Sequence, residues 1–529
     1  MLPTKPLSAF RRRWLYVTVF VGGMTTLAVE LSASRLLGNV FGTSNIVWAN
    51  IIGLILIYLA VGYTLGGRLA DRRPYAAMFY RVVVWAAFFS GLVPLMARPV
   101  LQTAGRAVQN FDAAVTVGSF VGVLVLFAVP VTLLGFLAPF AVRLALREMQ
   151  DAGRTTGQLY ALSTLGSILG TFTPVLLLIP EVGTTRTFLF FAGVLMAVGL
   201  VGLAAEDRRA ALRLLWMPLL LAALTFWALR GPLRPPPDDM TLLFERESPY
   251  NLVQIVEDAD GYRYLLLNEG QGIHSQWHPT ELFYQRTWGF FLVGPYFNAP
   301  PYAPERVERI AIVGLAAGTI ARQYAAAYPD LPMDGIEIDP VIVEAGRRYM
   351  DMNEPNLRVI VGDGRFELSR SPHRYTVIGV DAYRVPYVPW HLTTVEFFRM
   401  AREHLTDDGV LVINVGRAAQ DRRLVEAMTR TLLSVFPTVH TLDVPAAYNT
   451  ILVATRQPTS AANLQANLDA LPPDAPPILR QALELGVASL RPTVASDVRF
   501  TDDRAPVERL VDAMVVDFLL GGGLEDLRE

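Results

Sequence analysis

The first part of the chain is a series of long apolar runs, and the rest has a mixed apolar and polar pattern. A helix needs ~20 mostly apolar residues to cross a bilayer. Seven runs reach that length and predict spans at 14–34, 46–67, 77–97, 114–136, 157–179, 185–204 and 212–229. The fourth run continues to Leu146 past Pro130 and Pro139, which fits one kinked helix or a helix with a re-entrant piece. The predicted count is therefore seven, give or take one.

A stiff, proline-rich break at 233–239 precedes the mixed pattern. Short alternating strands are predicted at 241–246, 252–258 and 262–267. From residue 309 strands alternate with helices. The predicted strands are 309–314, 333–337, 357–361, 375–380 and 410–415, and the predicted helices are 318–327, 340–350, 393–405 and 421–435. Such alternation predicts a doubly wound parallel sheet, which a hairpin at 438–443 and 450–455 would close, as in class I methyltransferase-like folds.

The predicted fold class is a multispan α-helical membrane domain followed by an α/β Rossmann-like domain with a small amino-terminal β unit. The expected domains are 1–232 for the transmembrane helices, 240–456 for the α/β domain and 457–529 for a carboxy-terminal helical extension. Inside the α/β domain, we assign 240–275 to the small β unit and 305–456 to the Rossmann-like part. In the extension, Thr501-Asp502-Asp503 is expected to cap a final helix near 505–519.

Composition excludes several kinds of chemistry. The net charge of -2 gives no argument for nucleic acid as a partner. The chain has no cysteine, which excludes disulfides, thiolate metal sites and cysteine nucleophiles. His274 and His278 lie four apart, but the glycines before them and Pro279 disfavour a helix, so we expect no metal. The expected partners are a small-molecule amine and the lipid bilayer, and the sequence leaves a homo-oligomer open.

Glycines and acids follow four of the predicted strands. Gly314 and Gly318 lie in the first loop, and Glu337, Asp363 and Asp381 follow the next three strands. Because ligands sit beyond the carboxyl ends of parallel strands, these residues predict an adenosyl site, although each acid alone would also fit a helix cap. An acid at the second strand can accept both ribose hydroxyls, and the next can accept from an adenine amino group. The first loop has no Lys or Arg for phosphates, which favours S-adenosylmethionine or its decarboxylated form over NAD.

Several short motifs occur in a characteristic order. They are Ser248-Pro249-Tyr250, Leu267-Asn268-Glu269-Gly270, Glu281-Leu282-Phe283-Tyr284-Gln285, Glu337-Ile338-Asp339, Gly362-Asp363-Gly364 and Asp381. Their order resembles the spermidine synthase family of polyamine aminopropyltransferases, and especially its bacterial branch fused to a multispan membrane domain. The segments 389–393 and 501–508 look like features of that branch.

The resemblance implies transfer of an aminopropyl group from decarboxylated S-adenosylmethionine to an amine. Glu337 would bind the ribose, Asp363 the adenine, and Asp381 would act as the base that takes a proton from the amine. The residues expected on the substrate side are Gln271, Tyr284, Gln285 and Tyr448.

Two positions depart from the family pattern. Ala317 stands where the family has an aspartate, and Arg384 stands where it has a second acid, three residues after the base. Those acids help to hold the cationic aminopropyl and diamine groups, and losing them is costly for a dication in a poorly hydrated site. We therefore expect an adenosyl ligand to bind, whereas putrescine is doubtful as the acceptor.

Two other functions remain open. One is a methyltransferase that uses S-adenosylmethionine on a membrane-associated acceptor, which the same fold permits and which Ala317 and Arg384 favour somewhat. The other is a non-catalytic transporter that senses an adenosyl ligand. Glu30 within a span, and the loop 66–73, which resembles one in major facilitator transporters, hint at the transporter.

The orientation in the membrane follows two conflicting arguments. Arginines recur at alternate ends of the spans, at 11–13, 68–73, 143–154 and 208–213. The positive-inside tendency then places the amino terminus in the cytoplasm, and seven spans would leave the α/β domain outside. Because the sulfonium donors are made in the cytosol, we nevertheless expect this domain to be cytoplasmic.

Overall fold

A computed structural model describes residues 9–41, 45–108, 114–146, 152–228, 230–268, 272–383, 388–418, 420–445 and 447–520. The chain divides into two compact units. The first is Met1–Pro235 with Glu247–Pro249, and the second is Pro236–Arg246 with Tyr250–Glu529.

The first unit consists of helices. They are α1 Ala9–Phe41, α2 Asn45–Arg72, α3 Ala76–Val108, α4 Ala114–Gly135, α5 Leu137–Ala145, α6 Ala152–Thr173, a π-helical turn Pro174–Leu178, α7 Ile179–Val182, α8 Thr184–Glu206, α9 Arg208–Arg213 and α10 Trp216–Ala228. Within the described residues, seven helical stretches are long and apolar enough to cross a membrane, in agreement with the predicted count. The fourth stretch is Phe120–Ala145, a single candidate span interrupted at Phe136 between α4 and α5, which fits the kinked-helix alternative.

Small residues let α1 and α6 pack closely. A Cβ at Gly166 would collide with the carbonyl oxygen of Phe20, and one at Gly170 with that of Met24. Ser167 also donates a hydrogen bond across the interface to the Gly23 oxygen, at 3.2 Å. Helices in a bilayer associate through such close packing and not through a hydrophobic driving force, so these small side chains have a structural role.

Ion pairs join the helix ends that carry the arginines. They are Arg11–Glu206, Arg81–Asp207 and Arg143–Asp71, at 3.0, 3.3 and 3.2 Å. These residues lie near the starts of α1 and α3 and near the ends of α2, α5 and α8. The arginine-bearing helix ends therefore lie at one end of the helical unit. If all seven candidate stretches crossed a membrane, α10 would end at the opposite end.

The second unit begins with a four-stranded sheet, in the order β1-β2-β3-β4. The strands are β1 Thr241–Glu247, β2 Leu252–Glu257, β3 Arg263–Leu267 and β4 Ile273–Trp277. The first three confirm the predicted strands. The fourth was not predicted, because its residues, Ile-His-Ser-Gln-Trp, do not alternate between apolar and polar side chains.

The larger sheet has eight strands in the order β12-β10-β11-β9-β8-β5-β6-β7. They are β5 Ile310–Val313, β6 Met333–Glu337, β7 Leu357–Val361, β8 Tyr375–Val380, β9 Leu405–Gly416, β10 Thr438–Asp443, β11 Asn449–Thr455 and β12 Leu490–Arg491. Strands β5 to β9 pair in parallel, and β10 and β11 form the antiparallel hairpin beside β9. Apart from the two-residue β12, every strand was predicted, and the class I methyltransferase-like fold is confirmed.

Helices cover this sheet. They are α11 Thr319–Ala327, α12 Pro340–Tyr349, α13 Gly364–Ser369, α14 Val395–Glu403, α15 Arg423–Leu433, α16 Ala462–Asp469, α17 Pro477–Ser489 and α18 Val507–Leu520. A 3₁₀ segment, Thr287–Phe297, is buried from Trp288 onward and packs against the sheet, where Gly294 contacts Val412. Phe290 and Phe291 of this segment are fully buried, so they are packing residues.

The expected cap of the last helix is wrong. Asp502 accepts two hydrogen bonds from Arg365, at 2.8 and 2.7 Å, and one from the Thr394 hydroxyl. Thr501 accepts from the Arg504 N–H in a tight turn, and α18 begins later, at Val507. The carboxylate is engaged by residues more than 100 positions away in the chain, which no local pattern could reveal.

Candidate active site

The carboxyl ends of β5, β6, β7 and β8 are in register at one edge of the sheet. Val313 on β5 pairs with Ile336 on β6 and with Val380 on β8. The strand order reverses between β5 and β8, since β6 and β7 lie on one side of β5, whereas β8 and β9 lie on its other side. In open α/β sheets ligands bind at such a reversal. The predicted glycines and acids follow directly from these strand ends.

Gly314 lies at the reversal point and requires glycine. Its φ is +88°, and a Cβ there would lie 2.6 Å from the Asp381 oxygen and 2.7 Å from the Ala382 nitrogen. The first loop therefore contacts the segment that carries the predicted base. Gly318 begins α11 with φ +91°, and a Cβ there would meet Met352. Both positions thus require glycine for conformational reasons that are independent of any ligand.

Glu337 is buried at the end of β6, with 7% of its surface exposed. Its Oε2 accepts the Ala316 N–H at 2.9 Å and its Oε1 accepts the Asp339 N–H at 3.0 Å. Burial raises the pKa of Glu337 to about 7, although these backbone hydrogen bonds oppose the rise. A carboxylate has about four acceptor positions, so each oxygen can still accept a further hydroxyl. This geometry fits a diol such as ribose.

Asp381 follows β8 and belongs to a chain of polar side chains across three strands. Its Oδ1 accepts from the Asn414 amide at 2.9 Å, and the Asn414 oxygen accepts from the Asn449 amide at 2.8 Å. Burial raises the pKa of Asp381 to about 6, and hydrogen bonds from Asn414 and Trp288 oppose the rise. A carboxylate with a pKa near neutrality suits the role of a general base.

Asn414 and Asn449 were not singled out from the sequence. Asn414 is nevertheless the one polar residue in the apolar run 410–415 of β9, and only 5% of it is exposed. A buried amide needs hydrogen-bond partners, so its position was a signal that could have been read. Its hydrogen-bond partners could not be predicted from the sequence, because they lie after β8 and on β11.

Asp363 has a local structural role. Its Oδ1 accepts the Phe366 N–H at 2.9 Å and caps α13, while its Oδ2 lies 3.2 Å from Nε2 of His391. Its side chain is 41% exposed. The helix-cap interpretation of this acid is therefore correct, and a contact with adenine would have to share the carboxylate with His391.

The predicted substrate-side residues have different surroundings. The Tyr284 hydroxyl accepts the His278 N–H and donates to the Glu281 oxygen, at 3.1 and 2.9 Å. Its ring packs edge-on against Trp288, the residue that hydrogen-bonds Asp381. Tyr284 is therefore linked to Asp381, the predicted base, through one side chain.

Gln285 is exposed and has a positive φ of 53°. Tyr448 is 39% exposed, and its carbonyl accepts the Arg417 N–H at 2.9 Å. Gln271 and Arg384 lie outside the described residues, so the predicted roles of these two are not addressed by the structure.

The small sheet contacts the first loop of the larger one. The Ala317 N–H donates to Ser275 on β4 at 3.0 Å, and Thr319 exchanges hydrogen bonds with the backbone of Gln276. Ala317 is 3% exposed, so this position is closed by packing and by this hydrogen bond.

A second contact joins the small sheet to α12. The fully buried Asp339 caps α12 through Val341 and accepts from the Asn251 amide at 3.0 Å. Asn268 in turn donates to Asn251 at 2.8 Å. These polar contacts, missed in the sequence, hold β2 and β3 beside the strand ends.

Metal ligands are not grouped in the described part of the chain, where no three His, Asp or Glu residues could hold an ion together. His278 instead accepts the Glu281 N–H and packs against the Tyr262 ring, 4.4 Å between centroids. The residues that converge on the strand ends are thus carboxylates, amides and backbone groups.

Comparison with known proteins agrees with the resemblance seen in the motifs. Residues 299–464 match the family described as spermine/spermidine synthase domain. A probable polyamine aminopropyl transferase of Bifidobacterium longum is 34% identical over 223 residues, which cover 41% of this chain and 47% of that protein. A polyamine aminopropyltransferase of Vibrio vulnificus is 34% identical over 158 residues, which cover 29% of this chain and 50% of that protein. The chain spans about half the length of these two curated relatives.

Solved structures give matches of lower identity. A probable spermidine synthase from Corynebacterium glutamicum has a TM-score of 0.37 at 20% identity and covers 49% of this chain and 98% of that one. Human methyltransferase-like protein 13 in complex with SAH has a TM-score of 0.32 at 20% identity and covers 40% of this chain and 96% of that one. The family match, the motif order and the strand topology therefore agree that residues 299–464 of this chain are similar to the spermine/spermidine synthase domain.

Proposed function

We propose that this protein is a membrane-anchored aminopropyltransferase-like enzyme. It transfers the aminopropyl group of decarboxylated S-adenosylmethionine to an amine acceptor. One observation carries the proposal: Glu337 and Asp381 end the two strands on either side of Gly314, and burial raises the pKa of both acids. This pair supplies one carboxylate for a nucleoside and one for a proton within a domain of the matching family.

The donor would bind across the ends of β5, β6 and β7. Glu337 would accept the two ribose hydroxyls through the free acceptor positions of its oxygens. Asp363 would accept from the adenine amino group, and the Gly314 and Gly318 loop would let the backbone approach the sulfonium end. The donor needs no phosphate contacts and no metal.

The transfer step is a displacement at carbon. The amine nitrogen attacks the propyl carbon next to the sulfonium, the new C–N bond forms as the C–S bond breaks, and the bonding pair stays on sulfur in methylthioadenosine. The proton of the amine passes to Asp381. The protein contributes in-line positioning and a base whose pKa of about 6 is near the operating pH.

Putrescine is not the acceptor we propose. The position of Ala317 is buried and its N–H is occupied by Ser275, so it offers no charge to a cationic chain. A dication held by one carboxylate would be poorly compensated. The same alanine favours the second candidate, methyl transfer from intact S-adenosylmethionine, because that donor brings its own carboxylate.

The test uses the detergent-solubilised full chain. We expect decarboxylated S-adenosylmethionine to bind at least about tenfold more tightly than the intact form in calorimetry, and methylthioadenosine to appear with amine acceptors. Asp381→Asn should bind the donor and release no product. Tighter binding of intact S-adenosylmethionine, with methylated product, would establish the methyltransferase instead. Binding of either donor without turnover on any amine would support the sensing transporter.

The helical unit would insert in the cell membrane through its seven candidate spans. We propose that the α/β domain faces the cytoplasm, where the donor is made, which places the arginine-bearing helix ends on the other side. The chain has no native cysteine, so single cysteines report the orientation.

In intact cells, an impermeant maleimide should label Arg73→Cys and spare Asp260→Cys until the membrane is opened. The reverse labelling would mean that charge asymmetry determines the orientation. The donor would then have to reach the other side of the membrane.

A further inference from the structure

Basic side chains gather at the other end of the sheet edge that carries Glu337 and Asp381. Asp443 ends β10 and accepts two hydrogen bonds from Arg422, at 2.8 and 2.9 Å. The Nε atoms of Arg417 and Arg491 each lie 3.6 Å from its carboxylate oxygens. We call these four residues the Asp443 cluster.

The charges of the Asp443 cluster do not balance. One carboxylate faces three guanidinium groups, and Arg422 together with the Thr450 hydroxyl, at 2.7 Å, already satisfies it. Nε of Arg417 is buried and has no hydrogen-bond partner within the described residues. Arg491 is 53% exposed. The described carboxylates offer these two arginines no other ion pair.

Asp443 itself is ionised at neutral pH. Burial raises the pKa of this carboxyl, but hydrogen bonds from Arg422 and Thr450 and the positive charges of Arg422 and Arg417 outweigh it and hold the pKa below its usual value. The surplus of two positive charges is therefore permanent. A structural network explains the Arg422 pair, but mutual repulsion makes the two further guanidiniums costly unless a second anion joins them.

The Asp443 cluster lies on the acceptor side of the candidate active site. Strands β9 and β11 separate β10 from β8, and Asn449 is level with Gly416, the residue before Arg417. Neighbouring strands are ~4.8 Å apart, so β10 lies roughly 14 Å from the strand that ends at Asp381. The chain of Asn414 and Asn449 spans part of that distance.

We propose that the Asp443 cluster binds an anionic group, a carboxylate or a phosphate, on the acceptor molecule whose amine is placed at Asp381. The inference rests on the proposed transfer and names its acceptor class: an amine with an anionic group roughly 10–15 Å away. Guanidinium forks match carboxylate and phosphate oxygens, and partial burial strengthens the attraction. An acceptor of this class also accounts for the absence of an acid at Ala317.

Three probes of equal length test the proposal: ω-aminodecanoate, aminodecyl phosphate and diaminodecane. We expect the two anionic probes to bind the full chain, in detergent with methylthioadenosine present, roughly tenfold more tightly than the diamine. The stronger of the two distinguishes carboxylate from phosphate. Arg491→Gln, at an exposed side chain, should abolish the preference, and Arg491→Lys should restore part of it.

The matched control is Arg480→Gln, because the Arg480 guanidinium hydrogen-bonds only the carbonyls of Leu471 and Pro472. The control should keep the wild-type preference. Equal binding of the diamine and the anionic probes, or equal effects of Arg491→Gln and Arg480→Gln, would overturn the anion site.

Product analysis separates this proposal from the proposed function. If ω-aminodecanoate binds through Arg491 but methylthioadenosine never forms from the donor, the transfer fails and the anion site stands. If diaminodecane is aminopropylated and Arg491→Gln leaves that rate unchanged, the transfer stands and the anion site fails.

Discussion

The two ends of one sheet edge differ in their chemistry. At the ends of β5, β6 and β8, glycines and buried acids meet, and Glu337 and Asp381 each have a raised pKa. At the ends of β9, β10 and β11, the polar groups are amides and arginines around the single carboxylate of Asp443. The two ends are joined by Asn414, which touches both.

This difference shows that one sheet edge carries two kinds of polar groups. Under the proposed function, Glu337 and the glycine loop at the ends of β5 and β6 would contact the ribose and the sulfonium of the donor. The end formed by β9, β10 and β11 has a surplus of positive charge at Arg417 and Arg491. A sheet edge can therefore retain one ligand while its other end is adapted to a different one, because the strand ends are independent positions.

Removal of the base should have the largest effect. Asp381→Asn keeps the size and the Asn414 contact but cannot take a proton, so we expect kcat to fall about 10²–10⁴-fold with donor affinity changed little. Product formation and donor calorimetry measure the two quantities. Asp474→Asn, at an exposed loop position, is the matched control. A variant that retains most of its turnover would remove Asp381 from the chemistry.

Loss of the donor-end carboxylate comes next. Glu337→Gln replaces an acceptor of two hydroxyls by an amide, so donor affinity should fall roughly 10–100-fold, in line with hydrogen bonds to a charged group. The exposed Glu484→Gln should bind the donor normally. Binding of ω-aminodecanoate should be the same in both variants. If it falls with donor binding in Glu337→Gln, the two ends are not separate sites.

Much of this edge could be predicted because its elements are local. Each of β5, β6, β7 and β8 is an apolar run ended by a glycine or an acid, and parallel pairing of such runs brings Gly314, Glu337 and Asp381 together. The acceptor end could not be predicted in this way. Asp443 meets Arg422, Arg417 and Arg491 only because β10 returns beside β11 and β12.

The missed elements have physical reasons of the same kind. The 3₁₀ segment Thr287–Phe297 is apolar on every side, so it has no period that would mark a helix or a strand. The two residues of β12 are too few to show an alternation, and their pairing with Thr441 and Leu442 is a tertiary contact. Asp502 has the sequence context of a cap, but Arg365 competes for it.

A rise in pH should have opposite effects on the affinity for the donor and on the stability of the folded protein. Because burial raises the pKa of Glu337 to about 7, the folded protein holds a proton that the unfolded chain has already lost above its ordinary pKa of 4.5. Its contribution to stability is full below that ordinary pKa and is lost as pH rises through about 7. Donor affinity, which needs the carboxylate, should rise over the same range, by up to roughly tenfold per pH unit.

Thermal unfolding and donor titration of the full chain in detergent, between about pH 5 and pH 8, measure both trends. Glu337→Gln should flatten both, since an amide does not titrate. The preference for ω-aminodecanoate over diaminodecane should stay constant in this range, because the charges of the Asp443 cluster do not change there and both probes place an amine at Asp381. A donor affinity that falls as pH rises would contradict the role of Glu337.

The smallest effect should come from the residue that joins the two ends. Asn414→Ala removes a hydrogen bond that lowers the pKa of Asp381, so the rise of kcat with pH should move to higher pH. At neutral pH we expect a loss of roughly threefold to tenfold, the size of one ordinary hydrogen bond. Asn353→Ala, away from the sheet edge, should leave the profile unchanged.

If Asn414 had only a structural role, Asn414→Ala would lower thermal stability without shifting the pH profile of kcat. The measurement therefore distinguishes a structural role from an effect on Asp381. Asn449→Ala should give a weaker version of the same shift, since Asn449 acts on Asp381 only by holding the Asn414 amide in place. If Asn449→Ala changed the binding of ω-aminodecanoate and left the profile alone, Asn449 would belong to the acceptor end. The boundary between the two ends would then lie between Asn414 and Asn449, one strand closer to Asp381.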